Sequence, residues 1–166
     1  MKKIVSLFPF LLVAILTVGQ ANAQKGETQL NAGVGLSSRG IPVYVGLDYW
    51  VHPDITIGAE LSFRSYDDDY GNVDYHHSIT GIIGNANYHF NRVLDIPQQW
   101  DFYAGLNLGF YIWGSPSDYI GSNSSGLGLG AQLGGRYFFS DKFGINLEFT
   151  GGNTVSGSKL GITLKF

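Results

Sequence analysis

Past an apolar leader, the chain alternates apolar and polar side chains with a period of two in eight separate stretches, and nowhere with the period of a helix. They fall near 27–36, 41–51, 54–65, 77–90, 99–112, 126–139, 142–151 and 157–166. In KFGINLEFT, Phe143, Ile145, Leu147 and Phe149 share one face, and Gly144, Asn146, Glu148 and Thr150 share the other. In DFYAGLNLGFYI, Phe102, Ala104, Leu106, Leu108, Phe110 and Ile112 oppose Asp101, Tyr103, Gly105, Asn107, Gly109 and Tyr111. The final KLGITLKF keeps the alternation through Phe166, where most soluble domains fray. This spacing predicts an all-β fold, an eight-stranded antiparallel up-and-down β-barrel whose last strand closes on the first around Leu30 to Leu36. The long links, Tyr66 to His76 and Trp113 to Ser125, follow odd-numbered strands and so emerge at one end. The turns His52-Pro53-Asp54 and Ser140-Asp141 fall at the other end, with both termini.

Composition decides which face is inside. The polar face carries about nine titratable side chains: Asp48, Glu60, Arg64, His89, Asp101, Arg136, Glu148, Lys159 and Lys165. A barrel wetted on its outside carries many more Lys and Glu. The rest of that face is Gly, Asn, Gln, Thr, Ser and some Tyr, and small residues beside large charged ones suit a narrow lumen. The four acids and four bases on it balance, as confined charges require. The polar face is therefore read as the lumen and the apolar face as lipid-facing, making the barrel transmembrane. Closure satisfies every backbone amide in hydrocarbon. Aromatics collect at the turn end (Tyr49, Tyr88, Phe90, Tyr137, Phe139, Phe143 and Phe166), as expected of an interfacial girdle. Strand direction predicts Asp48, His89, Asp101, Arg136 and Lys165 in the turn-end half, with Glu60, Glu148, Arg64 and Lys159 at mid-height or beyond.

The leader agrees. MKK, an apolar run and Ala21-Asn22-Ala23 form a secretory signal peptide over 1–23, with the mature domain at 24–166. A membrane anchor fits less well, because Pro9 interrupts a short run. Cys is absent, so neither a lipid-modified N-terminus nor disulfides are expected. Removing Lys2 and Lys3 takes the formal charge from −3 to −5, which argues against a nucleic-acid partner.

The C-terminal pattern Leu160, Ile162, Leu164, Phe166 resembles the assembly signal of outer-membrane β-barrels, and with RYFFSDKFGINLEF the chain over 26–166 is similar to small eight-stranded outer membrane protein beta-barrel domain proteins of the porin-family, OmpX/OmpA-like group. The resemblance implies a bacterial outer-membrane location with periplasmic termini. It also implies passage through the barrel-assembly machinery and contact with outer-membrane lipid and lipopolysaccharide. It does not specify an activity, because this fold hosts adhesins, structural proteins, resistance factors and enzymes. No peptidoglycan-binding domain is expected after Phe166. A monomer is expected, and no cofactor.

Four constellations remain as sites. In SYDDDYGNVDYHHS, Asp67, Asp69 and Asp74 with Asn72 offer oxygens for a divalent ion, though without EF-hand spacing; a solvated acidic loop is the simpler reading. His76 and Ser78 match the H-x-S spacing of lipid A deacylase barrels, but no acid is evidently placed beside them and they come too early in the chain. The lumen charges read as a plug of ion pairs rather than a path, because eight strands enclose only their own side chains. Tyr103, Tyr111 and Trp113 lead toward the second long link, with Tyr119 beyond, as a candidate recognition surface. The expected role is a non-enzymatic structural and surface-interaction barrel, presenting the links at 66–77 and 113–125. A small passive channel is second and a lipid A-modifying enzyme third.

Overall fold

A computed structural model describes residues 26–37, 39–70, 73–114 and 125–166; within these, the side chains of 68–70 and 73–76 are left out. Eight strands follow in order: β1 (Thr28–Ser37), β2 (Val43–His52), β3 (Ile55–Tyr70), β4 (Val73–His89), β5 (Trp100–Gly114), β6 (Gly126–Phe138), β7 (Phe143–Gly152) and β8 (Gly157–Lys165). Each pairs antiparallel with its sequence neighbours, and β8 pairs with β1, so the sheet closes into a barrel. The seam runs from Gln29 opposite Lys165 to Ser37 opposite Gly157. Beyond it the Phe166 amide still donates to the Thr28 carbonyl at 2.9 Å, so the last strand is held to its final residue.

The expected burial is inverted relative to a soluble barrel. Leu106 is 66% exposed and Leu147 45%, whereas Glu148 is 8% exposed and Arg136 2%. Along β2 the pattern alternates strictly, with Val43, Val45, Leu47 and Tyr49 outside and Tyr44, Gly46, Asp48 and Trp50 inside. The period-two pattern works because successive side chains leave a strand on opposite faces.

The strands differ in length for a legible reason. β3 and β4 form a hairpin that continues without a register shift from Ile55–Tyr88 to Tyr70–Val73. Most of the expected loop at 66–77 is therefore strand, and Asp67, Asp69 and Asp74 lie in the ladder. With 16 and 17 residues, this hairpin outruns the ten-residue β1, β2 and β7. The excess of about six residues is roughly 20 Å of extra ribbon. Apolar alternation stops near Arg64 because a ribbon beyond the apolar band has no face to bury, so hydrophobicity no longer marks the strand. Tyr66, Tyr70, Val73 and Tyr75 retain good strand propensity.

At the turn end, Asp54 is anchored beneath the 90–99 link. Its carboxylate receives both the Nε (2.9 Å) and the Nη2 of Arg92. That contact raises the Arg92 guanidinium above its ordinary pKa. The His89 amide donates to the Asp54 carbonyl at 2.7 Å. Aromatic rings circle this end: Phe143 against Phe139 (6.1 Å), Phe139 against Tyr137 (5.2 Å), and Tyr137 against Trp100 (4.7 Å).

Candidate functional site: the charged lumen and its two mouths

The nine titratable residues named from the polar face all point inward, but they divide into separate clusters. In the turn-end half, Arg136 on β6 spans the lumen between two carboxylates. Its Nη2 donates to Asp48 Oδ2 at 2.6 Å and its Nη1 to Asp101 Oδ2 at 3.0 Å. Its guanidinium also lies 4.4 Å over the Tyr103 ring. Asp101 Oδ1 meets His89 Nδ1 at 2.7 Å, and His89 Nε2 meets Thr56 Oγ1 at 3.0 Å. A planar guanidinium holding two buried acids is the arrangement in which arginine outperforms lysine.

At mid-height Lys159 on β8 plays the same part. Its Nζ lies 2.7 Å from both Glu60 Oε2 and Glu148 Oε1. Tyr103 donates its hydroxyl to Glu148 Oε2 at 2.8 Å and so joins the two clusters. A ring of neutral groups completes the packing. Asn31 donates to Asp48 (2.9 Å), Thr163 to Asn31 (2.7 Å), Asn146 to Thr163 (3.0 Å) and Tyr44 to Asn146 (2.6 Å). On the opposite wall Asn107 donates to Gln132 (2.9 Å) and Gln132 to Asn87 (2.6 Å). The space left between the clusters is about 20 Å³, enough for a single water.

Glycines make this crowding possible at defined points. A Cβ on Gly134 would sit 2.3 Å from the Tyr103 ring, and one on Gly58 would sit 2.2 Å from Asp48 Oδ1. The two side chains lie flat across the neighbouring strand only because that strand has no side chain there.

Charge balance is not local. Each inner cluster holds two carboxylates on one long cation. Lys165 stands apart, 3.5 Å from Glu27 and 4.0 Å over the Phe138 ring. Arg64, at the loop end, donates from Nη1 to Ser37 Oγ at 3.1 Å and pairs with no acid among the described residues. Below the Arg136 cluster the turn end opens into a vestibule of about 730 Å³, lined among others by Trp50, His89, Asp101, Arg92, Phe138 and Lys165.

The remaining sequence candidates are placed as follows. Tyr103 and Tyr111 are 2% and 6% exposed, so they pack inside the lumen and do not form an outer recognition surface. Their parity on the polar face of β5 already pointed inward. Trp113 is half-buried beneath Arg39, and Tyr119 lies outside the described residues, as does most of 113–125. Asp67 pairs in register with His76, and Asp69 with Asp74. Among the described residues no group of three or more His, Cys, Asp or Glu could hold a metal. Ser78 sits opposite Ser65 on β3, while His77 beside it is fully buried and stacks on Tyr66 at 5.2 Å. Leu160, Ile162 and Phe166 are exposed on the outer face and Leu164 is half-buried.

Sequence reasoning passed over Tyr44, Asn31, Asn146, Thr163 and Gln132 as network members, and Glu27 as the partner of Lys165. Parity placed most of them inside; their partners lie across the lumen, which only the closed barrel brings within reach.

No protein-family model matches the chain, and no curated protein matches it. Solved structures do share its fold. The outer membrane protein OprG from Pseudomonas aeruginosa aligns with a TM-score of 0.62 at 12% identity, over 87% of this chain and 99% of that one. Ail, the attachment invasion locus protein of Yersinia pestis, bound to the heparin analogue sucrose octasulfate, aligns at 0.59 with 14% identity, over 86% and 99%. Neisserial surface protein A aligns at 0.54 with 20% identity, over 84% and 95%. The chain has the closed eight-stranded fold of small outer-membrane β-barrels.

Proposed function

We propose that the protein is an integral outer-membrane barrel with a plugged lumen, acting structurally and through the surface it presents at its loop end, without enzymatic chemistry. The observation that carries this reading is the pairing of an apolar exterior with an interior filled by the Arg136 and Lys159 clusters. Leu, Ile, Val and Phe side chains half exposed around the whole wall are tolerable only in lipid. The likeness to outer-membrane barrels supports the address. On this reading the signal over 1–23 is cleaved, the barrel-assembly machinery reads Leu160, Ile162, Leu164 and Phe166, and both termini are periplasmic. The protruding β3–β4 ribbon and the 113–125 link then face outward, where lipopolysaccharide and external partners are met.

The test is membrane fractionation with a gel shift on heating, followed by planar-bilayer recording. The folded form should float with outer membranes, migrate faster unheated, and give no stable conductance steps. Recovery from the soluble fraction would sink the address, and regular steps would sink the plug. A passive channel is the second reading, favoured by the open vestibule at the turn end. It requires the Asp48–Arg136–Asp101 clamp to part.

A further inference from the structure

We propose that the loop-end mouth of the lumen is a binding site for a tetrahedral oxyanion ester, a phosphate or sulfate, held between Arg39 and Arg64. The argument begins with Arg64. It is 4% exposed, points inward from β3, and stands in register beside Ile79, which is fully buried. Among the described residues its only hydrogen bond goes to the neutral Ser37 hydroxyl. Its Nε–H is buried with no acceptor among the described residues, and the Ser62 hydroxyl two residues along the same inner face is likewise buried without a partner there. Among the described residues neither Arg64 nor Arg39 takes part in an ion pair, whereas Arg136, Lys159, Lys165 and Arg92 all do. A buried guanidinium without a counter-charge is costly, and its planar donors match the edge of a phosphate or sulfate.

The turn that carries the second cation is held close to the first. Ser37 Oγ accepts from Arg64 Nη1 at 3.1 Å and from the Arg39 amide at 3.3 Å, while donating to the Gly40 carbonyl at 2.9 Å. The Gly40 backbone is left-handed (φ +82°), and a Cβ there would meet the Ser65 carbonyl at 2.3 Å, so the turn is locked against β3. The Arg39 side chain lies over the Trp113 ring at 4.9 Å and donates to the Thr154 carbonyl at 3.0 Å, which positions it from both sides. The Arg64 guanidinium and the turn that carries Arg39 thus share the Ser37 hydroxyl at this mouth, and two cations on one rim favour a doubly charged oxyanion over chloride.

The experiment is calorimetric titration of the folded barrel in a non-ionic sugar detergent. The probes are sodium sulfate and a soluble sugar phosphate, against chloride at matched ionic strength. Saturable heat is expected for both probes. R39Q and R64Q should weaken binding at least tenfold, and R64K, which keeps the charge but loses Nε, should fall between. Arg39 is on an exposed turn, so R39Q keeps the test valid even where R64Q folds poorly; heat-modifiable mobility verifies each variant. Repeating the titration in lipid A nanodiscs separates the sources. Persistent sulfate binding assigns the site to soluble esters, and binding blocked there but seen in detergent assigns it to lipid phosphate. Absence of saturable heat, or binding by R39Q and R64Q as tight as by the unaltered barrel, overturns the proposal.

Discussion

Arg136 and Arg64 lie in the same lumen, both almost wholly buried, yet the barrel treats them differently. Arg136 meets two carboxylates, a tyrosine face and a surrounding mesh of amides and hydroxyls. Among the described residues Arg64 donates one hydrogen bond, to a serine hydroxyl, and forms no ion pair. A buried ion pair is a weak source of stability beside a well-packed apolar core, but a half-broken one is expensive. On the proposed reading the turn-end half is the structural plug, and the loop-end half carries a charge with no carboxylate partner among the described residues.

The largest effect expected from this contrast is at Arg136. Arg136→Gln strands Asp48 and Asp101, both buried, and should cost about 3–5 kcal/mol of folding free energy or abolish folding. Urea unfolding in detergent, followed by the gel shift, reads this directly. A loss under about 1 kcal/mol would show that water reaches the clamp and that the plug is open. Lys159→Met should follow at about 2–4 kcal/mol, since Glu60 and Glu148 would share the lumen uncompensated, although the Lys159 side chain keeps 17% exposure. The same variant tests the channel reading: with the Asp48–Arg136–Asp101 clamp intact, bilayer recordings should stay silent, and stable cation steps would show that the clamp does not seal the bore.

Gly134→Ala comes next. The added methyl meets the Tyr103 ring across the β5–β6 pair, and overpacking of this kind costs about 1–3 kcal/mol. Pairing it with Tyr103→Ala should recover part of that loss, while Tyr103→Ala alone removes the hydroxyl that links Glu148 to the Arg136 cluster. Equal losses in the single and double variants would mean that Gly134 is needed for its backbone and not for the space it leaves.

These sites differ in how far the sequence revealed them. Strand order, closure and the inside–outside assignment were readable because β1, β2 and β7 keep strict alternation, and lipid and lumen impose opposite chemistry on the two faces. The inner membership of Asp48, Glu60, Arg136 and Glu148 followed from parity once composition had set which face is inside. Their partners did not. Tyr103 reaches Glu148 from β5 to β7, and Asp48 reaches Arg136 from β2 to β6, and no pairwise ladder records such contacts across the bore. The apparent balance of four acids against four bases concealed two acids per cation in each inner cluster, with Lys165 drawn off to Glu27. The β3–β4 ribbon was missed for a different reason. Beyond the apolar band the sequence SYDDDY loses its hydrophobic mark while its backbone keeps pairing.

The smallest expected effect separates the two halves most sharply. Arg64→Gln removes a buried charge that leaves no carboxylate stranded among the described residues, so the penalty that dominates at Arg136 has no counterpart. What is lost is one hydrogen bond to Ser37, worth about 1 kcal/mol, and relief of the unpaired charge offsets it. Unfolding should therefore shift by no more than about 1 kcal/mol in either direction. A loss above about 2 kcal/mol would mean that Arg64 holds the loop-end strands together as Arg136 holds the turn end, and the distinction between plug and mouth would fail. Near-neutrality would leave a buried cation that the barrel tolerates without depending on, and a charge retained at some cost to the fold has to be explained by what it meets at the mouth.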